Sequence, residues 1–251
     1  METLAPVVRQ LARPQNPTRD TALADLLPRL DLYVGVHKGL RALMSHVLLT
    51  VGRADPSDPG ELAAALAEVR GLLGVCASHL AHENKHIHAA MEARRPDSAA
   101  HTADDHLDHE QAIARLEDAV RAVERSHGSV RAAAALRLYR QLAVFVAENL
   151  EHMHVEETEN NAVLWAEYTD EEIAKIHDAI LADVAPEEMA RIVRWIVPFV
   201  TPTERAAMLS EMQRKAPHEV VEGLLAIVKP HLTERDWAKL IAAMVPGVVG
   251  V

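Results

Sequence analysis

The chain has 251 residues, which is enough for one large domain or two smaller ones with a buried core. Hydrophobic residues make up 49% of it and charged residues 25%, a composition typical of a soluble globular protein and not of a disordered one. The formal net charge of −11 argues against nucleic-acid binding, and the lack of a long uninterrupted apolar stretch argues against a membrane span.

The apolar residues recur with the period of a helix along most of the chain, and few segments alternate as strands do. Residues 1–29 contain four prolines and are predicted to form a loosely ordered N-terminal arm. Four long helices are then predicted, at about residues 30–51, 59–95, 98–126 and 129–168. Because their connections are short, residues 30–168 are expected to form an all-α, up-down-up-down four-helix bundle.

The C-terminal part, residues 169–251, is predicted to be helical as well, but its helical stretches are shorter. Each of five stretches opens with a helix-start signal, for example Thr169-Asp-Glu-Glu, Thr201-Pro-Thr-Glu and Thr233-Glu-Arg. We therefore expect a helical extension that follows the bundle.

Histidine is the unusual component of the composition. The chain has 15 histidines, and seven of them lie between His79 and His109. In the second predicted helix His79 stands four residues before Glu83, and in the fourth His152 stands four residues before Glu156. Residues at this spacing lie one above the other on a helix face, so each pair can direct an imidazole and a carboxylate at one point in the core.

The first and third predicted helices each carry a histidine on the apolar stripe, His37 and His109. Four imidazoles and two carboxylates then converge from four helices, a set that suits two adjacent divalent cations with bridging carboxylates. Buried glutamates are rare unless they are paired or bound to a metal, and this favours a metal site over a metal-free bundle. A mixed nitrogen and oxygen set suits iron or manganese better than magnesium, and zinc stays an alternative.

This arrangement resembles the hemerythrin-like family, whose signature is a histidine, a His-x3-Glu motif, a second histidine and a second His-x3-Glu motif on four successive helices. The matching residues are His37, His79 with Glu83, His109, and His152 with Glu156. The resemblance covers about residues 30–168. It implies a non-haem di-iron centre of two iron ions (Fe2+ or Fe3+) with an oxo or hydroxo bridge, in which Glu83 and Glu156 are bridging carboxylates. Manganese and zinc are the less expected metals.

The third helix departs from the pattern of the oxygen-carrying hemerythrins, which have His-x3-His there. Asp105 stands four residues before His109, and His106 stands three residues before it, so His106 is a candidate additional ligand. The chain is in this respect more similar to the four-histidine members, which include iron-centre repair proteins of nitrosative stress. The polar segment Thr158-Glu-Asn-Asn161 also argues against the dry pocket that reversible oxygen carriage needs.

A competing motif overlaps the second helix, because His82-Glu83-Asn84-Lys85-His86 matches the H-E-x-x-H pattern of zinc peptidases. On a helix, His82 and His86 are rotated away from the apolar stripe that includes Glu83, and no sheet edge is predicted for binding a peptide. A zinc metallopeptidase is therefore kept as a minor alternative.

Two roles are open for each of the other histidines near these motifs and for one tyrosine. A solvated helix face or a secondary metal patch is expected for His82, His86, His88 and His154. The side chain of Tyr33, one turn before His37, is expected to pack in the core, with a role as a hydrogen-bond donor near the metal as the alternative.

The function expected from these observations is a di-iron protein that binds oxygen, nitric oxide or peroxide and acts as a sensor, scavenger or stress-response factor. The alternative is a di-iron oxidoreductase that acts on an organic substrate beneath a roof made by residues 169–251. A single cysteine, Cys76, and an N-terminus without a basic and apolar leader make the cytoplasm the expected location. The sequence leaves the oligomeric state open.

Overall fold

A computed structural model describes residues 29–244 of the chain. Within that range the secondary structure consists of helices and their connections, with no strand, so the all-α prediction is confirmed. The arm predicted for residues 1–29 lies outside the described residues except for its last position. The exact division into arm, bundle and extension stays a prediction.

Four long helices form the bundle, and two of them contain a π-helical segment. In chain order the bundle helices are α1 (Val34–Arg53); α2 (Pro59–His82), continued by the first π segment (Glu83–His88) and α3 (Ala89–Arg94); α4 (Ala100–Arg125); and α5 (Gly128–Val155), continued by the second π segment (Glu156–Asn160) and α6 (Asn161–Glu167). Helix α1 packs against α2 and α5, and α4 packs against the same two helices. The predicted bundle is therefore present, with boundaries within a few residues of those expected.

The second bundle helix shows how local sequence sets a helix start. The Asp58 side chain accepts hydrogen bonds from the backbone N–H groups of Gly60 (2.8 Å) and Glu61 (3.0 Å), and Pro59 occupies the first helical position. These contacts satisfy N–H groups that have no partner inside the helix, and proline loses nothing at a position where its missing N–H is not needed.

Two apolar clusters lie at different levels of the bundle, with buried polar residues between them. The larger cluster fills the interior on the side of the α1–α2 and α4–α5 connections and includes Val47, Leu66, Val120 and Leu138. The smaller cluster lies near the opposite end and consists of Tyr33, Ile87, Met91, Ala99, Leu164 and Ile173, all at most 2% exposed. The interior of a helix bundle is usually apolar. The buried polar residues between these two clusters therefore indicate a functional site.

Up to residue 244, where the described part of the chain ends, five shorter α-helices follow the bundle: α7 (Asp170–Asp183), α8 (Pro186–Ile196), α9 (Pro202–Lys215), α10 (His218–Val228) and α11 (Glu234–Met244). A 3-10 turn (Lys229–His231) continues α10. The start signals at Thr169 and Thr201 form capping boxes, with Glu172 and Glu204. The last four helices enclose an apolar cluster of their own, which includes Val197, Leu209 and Val228. The expected helical C-terminal region is thus present.

This C-terminal region packs against α1. A Cβ atom at Gly39 of α1 would lie 2.8 Å from Ile196 Cγ1 and 3.1 Å from the Ile196 backbone, so only glycine permits this close approach of α1 and α8. The Lys38 ammonium donates to both carboxylate oxygens of Glu204, at 2.7 and 2.8 Å. None of the helices within residues 29–244 is both long enough and apolar enough to cross a membrane.

Candidate metal centre

Each His-x3-Glu motif ends where a helix changes from α to π. The glutamates Glu83 and Glu156 are the first residues of the two π segments, while His79 and His152 lie in the last α-helical turn before them. A π turn takes up one extra residue, and such turns occur often at functional sites. The two motifs therefore occupy equivalent places on two bundle helices, with both carboxylates directed into the interior.

The side chains of the motifs meet in two groups that share both glutamates. One group consists of His37, His79, Glu83 and Glu156, and the other consists of Glu83, Glu156, His106 and His152. In each group, one nitrogen or oxygen atom per residue lies within 4.8 Å of the others. Two histidines on each side of a shared pair of carboxylates make an arrangement in which both glutamates can bridge two cations.

The distances within the first group match the spacing of ligand atoms around one ion. The Nε2 atom of His37 lies 3.4 Å from a Glu156 oxygen and 3.7 Å from a Glu83 oxygen, and His79 Nε2 lies 3.2 Å from the same Glu83 oxygen. Ligand atoms about 2.1 Å from a common ion are separated by about 3.0 Å in octahedral and about 3.4 Å in tetrahedral geometry. The group therefore needs little rearrangement to hold an ion.

The second group has the same dimensions. The Nε2 atom of His106 lies 3.5 Å from a Glu156 oxygen and 3.6 Å from a Glu83 oxygen, and His152 Nε2 lies 3.4 Å from Glu156. The two Nε2 atoms of His106 and His152 are 3.0 Å apart. Two nitrogen lone pairs at this distance repel each other unless a proton or a metal ion lies between them.

Several buried polar atoms at this centre lack a hydrogen-bond partner. These atoms are Nε2 of His37, Nε2 of His79 and both carboxylate oxygens of Glu83 and of Glu156. A buried polar group without a partner costs about 1–3 kcal/mol, more for a charged group, so such a cluster is not expected in a merely structural core. The donor set, the distances and the unpartnered atoms all fit a pair of metal ions.

The outward-facing nitrogens of three histidines are held by oxygen atoms from neighbouring helices. The Nδ1–H groups donate from His37 to Glu157 (3.1 Å), from His106 to Asn84 (2.8 Å) and from His152 to Asp105 (3.1 Å). Such bonds fix the tautomer and turn the Nε2 lone pair towards the metal position, as is typical of metal-binding histidines. Two of these supporting residues, Asn84 and Glu157, directly follow the two shared glutamates in the chain.

Without a metal, the buried carboxylates and imidazoles of this centre shift the pKa values of one another. Burial opposes a charged His37, but the carboxylates of Glu156, Glu157 and Glu83 outweigh it and raise the pKa of His37 to about 10. Burial, followed by the charge of Glu156, raises the pKa of Glu83. Burial also opposes ionisation of Glu156, yet the surrounding histidines, His106 first, hold its pKa well below the usual range. Protons on imidazoles thus compensate the carboxylates in the metal-free chain.

The sequence model of the hemerythrin HHE cation binding domain matches residues 29–163, more than half of the chain. The chain belongs to this hemerythrin family. The matched range extends into all four bundle helices and includes both groups of candidate ligands, so the family and the geometry agree on cation binding. Searches of curated proteins and of solved structures found no match.

The hemerythrin domain brings five of the six residues expected as ligands into the two groups, namely His37, His79, Glu83, His152 and Glu156. The third helix differs from the expectation, because His106, expected only as an additional ligand, belongs to a group and His109 does not. The His109 ring lies next to that of His152, with 4.8 Å between centroids, and its buried Nδ1 has no hydrogen-bond partner. Residues three apart differ by about 4.5 Å along a helix axis, and the level of α4 in the bundle places His106 beside the glutamates.

The zinc-peptidase motif does not form a site of its own in the described part of the chain. The His86 Nε2 atom lies 2.9 Å from Asp183, at the surface between α7 and the first π segment, and Glu83 is shared by the interior groups. Neither His82 nor His86 belongs to a group of candidate ligands. The geometry therefore favours the hemerythrin ligand set over the H-E-x-x-H set.

Sequence reasoning missed a set of buried polar residues next to the ligands. The His88 side chain, expected on a solvated face or in a secondary metal patch, is 5% exposed, and Thr102 and Asn160 are 1% and 2% exposed. The cause is the π segments, which rotate the residues that follow Glu83 and Glu156 relative to an ideal α-helix. A signal was present in the sequence, because both segments contain polar residues where a helical stripe would need apolar ones.

A third group of candidate ligands lies at the surface, where His177, Asp178 and Glu211 approach one another. The Lys215 ammonium contacts both carboxylates, at 2.5 Å from Asp178 and 2.7 Å from Glu211. Because this cation already compensates the acidic charges, the group is explained as a surface ion-pair network.

Proposed function

We propose that the hemerythrin domain of this chain holds two iron ions, one in each group, with Glu83 and Glu156 bridging them. The observation that carries the proposal is the sharing of both glutamates between two groups that each add two histidines. The proposed terminal ligands are His37 and His79 on one ion and His106 and His152 on the other. The pair of ions supplies redox and Lewis-acid chemistry when bound, and the chain supplies the ligands and their support.

Iron is proposed because of the donor set and its coordination number. Two imidazoles and two bridging carboxylates provide four donor atoms to each ion, which leaves positions for an external ligand on a metal that prefers six. Manganese shares this preference, while structural zinc sites are usually closed by four ligands, so both are less favoured alternatives. The buried thiol of Cys76 takes no part, since it lies among the apolar residues of the larger cluster.

The external ligand is proposed to be small, such as oxygen, nitric oxide or peroxide. Four of the six proposed ligand residues, His37, Glu83, His106 and Glu156, are at most 2% exposed, and only His79 has a side chain exposed by more than a tenth. A centre enclosed in this way suits a diatomic or similar ligand better than an organic substrate. A role as sensor, scavenger or stress-response factor follows more directly from this enclosure than a role as an oxygenase.

Metal analysis tests the proposal. The purified chain is reconstituted with Fe2+ without oxygen, freed of excess metal and analysed for iron, and its visible spectrum is recorded before and after exposure to oxygen, peroxide and nitric oxide. We expect about two iron ions per chain and charge-transfer absorption in the oxidised protein that changes when a ligand binds. The same protocol with Mn2+ and Zn2+ measures the preference among the metals.

Matched variants test the proposed ligands. We expect His79→Ala and Glu156→Ala to lose iron, whereas His127→Ala, which changes a histidine outside both groups, keeps the full content. Less than about one iron per chain in the reconstituted protein contradicts the proposal. Equal iron content in all three variants would contradict the ligand assignment.

A further inference from the structure

A cleft of about 320 Å³ opens at the surface of the bundle between α4 and α5. Its apolar lining comes from Ala112, Leu116, Val144 and Phe145. Leu116 and Phe145 are each 2% exposed and form the floor, whereas Val144 is 55% exposed and stands at the rim. A concave site of this volume with an apolar floor has the dimensions of a small-molecule pocket.

Two arginines without an ion-pair partner also line the cleft, Arg115 of α4 and Arg140 of α5. Within residues 29–244 neither guanidinium forms an ion pair with a carboxylate. Leucine, arginine, alanine and valine occupy the positions three and four residues from Arg140, and Asp118, three residues after Arg115, is paired with Arg121 at 2.8 Å. Because the chain as a whole is acidic, two uncompensated cations at one cleft indicate a ligand that brings negative charge.

The one acidic residue of the cleft, Glu148, lies away from both arginines along the bundle axis. The ring of His109 on α4 contacts rings three residues before and four residues after Glu148 on α5, at 6.3 and 4.8 Å between centroids, so His109 and Glu148 are level. Arg115 stands six residues after His109, and Arg140 stands eight residues before Glu148. Since α4 and α5 are antiparallel, both arginines lie on the same side of Glu148, about 9–12 Å from it along the axis.

This separation of charges limits the kind of anion that fits the cleft. A ligand with one negative group can place it at the arginines and lay an apolar body along the floor towards Glu148. A second negative group at the far end of the ligand would meet the carboxylate of Glu148, and like charges repel. The cleft therefore favours a monoanion with an apolar body over a dianion or a small inorganic anion.

We propose that this cleft is a binding site for an organic monocarboxylate with an apolar body, of the medium-chain fatty acid class. A guanidinium donates two parallel hydrogen bonds to a carboxylate, which is the geometry that favours arginine over lysine at such sites. The apolar body is removed from water by the floor of the cleft. The inference goes beyond the proposed function and does not rest on it, because no residue of the cleft belongs to either group of candidate metal ligands.

Isothermal titration calorimetry on the full chain tests the site, with octanoate as the probe. Suberate, which carries a second carboxylate at the far end of the same carbon chain, and octanol, which carries no charge, are titrated for comparison. The variants Arg115→Gln and Arg140→Gln each remove one guanidinium, and Glu148→Gln removes the opposing charge. The matched control is Arg137→Gln, because Arg137 is exposed on α5 one turn before Arg140 and does not line the cleft.

We expect about one octanoate site per chain with a dissociation constant of about 1 mM or lower, at least about tenfold tighter than for suberate or octanol. Arg115→Gln and Arg140→Gln should each weaken octanoate binding by about tenfold, the ratio that corresponds to the loss of a hydrogen bond to a charged group. Arg137→Gln should stay within about twofold of wild type. Glu148→Gln should tighten the binding of suberate more than that of octanoate.

Four results would overturn the proposal. The first is the absence of saturable octanoate binding up to about 10 mM. The second is equal affinity in the Arg137→Gln control and the two cleft arginine variants, since binding would then not depend on the cleft. The third is octanol binding as tight as octanoate binding, which would show apolar contact without recognition of a carboxylate. The fourth is suberate binding as tight as octanoate binding in the wild-type chain. None of these results bears on iron content, so the proposed metal centre is tested separately.

Discussion

The proposed centre takes its ligand on α4 from His106 and not from His109, and alanine variants of the two residues test this assignment. Both residues lie on α4, three positions apart, and both are buried, at 1% and 5% exposure. Substitution of either by alanine removes the same imidazole from the same helix. The loss of packing is therefore similar in the two variants, about 2–4 kcal/mol on the scale of large-to-small core substitutions. A difference in metal binding between the two variants would therefore be due to the loss of a metal ligand and not to the loss of packing.

The structure sets the size of the expected difference. His106 Nε2 lies 3.0 Å from His152 Nε2 and 3.5 Å from Glu156, within the spacing of atoms that share an ion, whereas His109 belongs to neither group. Loss of a residue that only supports a ligand costs about 10- to 100-fold in metal affinity, so loss of a ligand should cost at least about 100-fold. We expect His106→Ala to retain one tightly bound iron ion and His109→Ala to retain two.

The assay combines metal analysis with thermal unfolding. Iron per chain is measured after reconstitution and removal of excess metal, and the melting temperature is compared with and without iron. Binding to the native state raises stability, so His109→Ala should keep the wild-type increase in melting temperature while His106→Ala shows a smaller one. Loss of an ion in His109→Ala together with full occupancy in His106→Ala would refute the assignment from geometry.

Three further predictions concern protons and packing. Carboxylates overcome the effect of burial and raise the pKa of His37 to about 10, and burial raises that of Glu83 to about 7, so metal must displace protons at pH 7. Iron affinity should therefore increase from about pH 6 to about pH 8, with proton release in calorimetry in buffers of different ionisation enthalpy, and a pH-independent affinity would contradict this. Gly39→Ala should lower the free energy of chemical unfolding by about 1–3 kcal/mol, because the new Cβ meets Ile196 of α8. Gly35→Ala, whose Cβ has nothing within 4 Å, should raise it by about 0.5–1 kcal/mol. Equal effects of the two substitutions would contradict the close approach of α1 and α8. Arg205→Ala should lower the free energy of unfolding by about 3 kcal/mol without loss of iron, because the buried guanidinium donates to three backbone carbonyls just after α8. A variant as stable as wild type would show that water replaces these hydrogen bonds.

Local features were predictable where the physics is local. The cap at Asp58, the capping boxes at Thr169 and Thr201 and the helical period of the apolar residues follow from contacts within a few positions of the chain. The two His-x3-Glu motifs were readable for the same reason, since a spacing of four fixes a shared helix face. That information was sufficient for the fold class, the bundle and five of the six proposed ligands.

The remaining features depend on how separate helices fit together. The sequence pattern put only His109 on the apolar stripe of α4, whereas the structure buries both His106 and His109. The axial level of α4 relative to Glu83 and Glu156 is set by packing across the whole bundle. The π segments depend on tertiary packing as well, because the cost of an irregular turn is offset only by contacts that it makes with other helices. For that reason the helical pattern of the sequence did not predict the burial of His88.

The sequence by itself determined that the chain folds into helices, that four of them form a bundle, and that imidazoles and carboxylates meet inside it. The tertiary structure alone decided which histidine of α4 stands level with the shared glutamates and that Tyr33, His88, Thr102 and Asn160 form one hydrogen-bonded network. The physical reason is the distance along the chain over which the deciding interactions act. Helical periodicity fixes the direction of a side chain from its own neighbours, whereas the height of one helix against another is a property of all the residues packed between them.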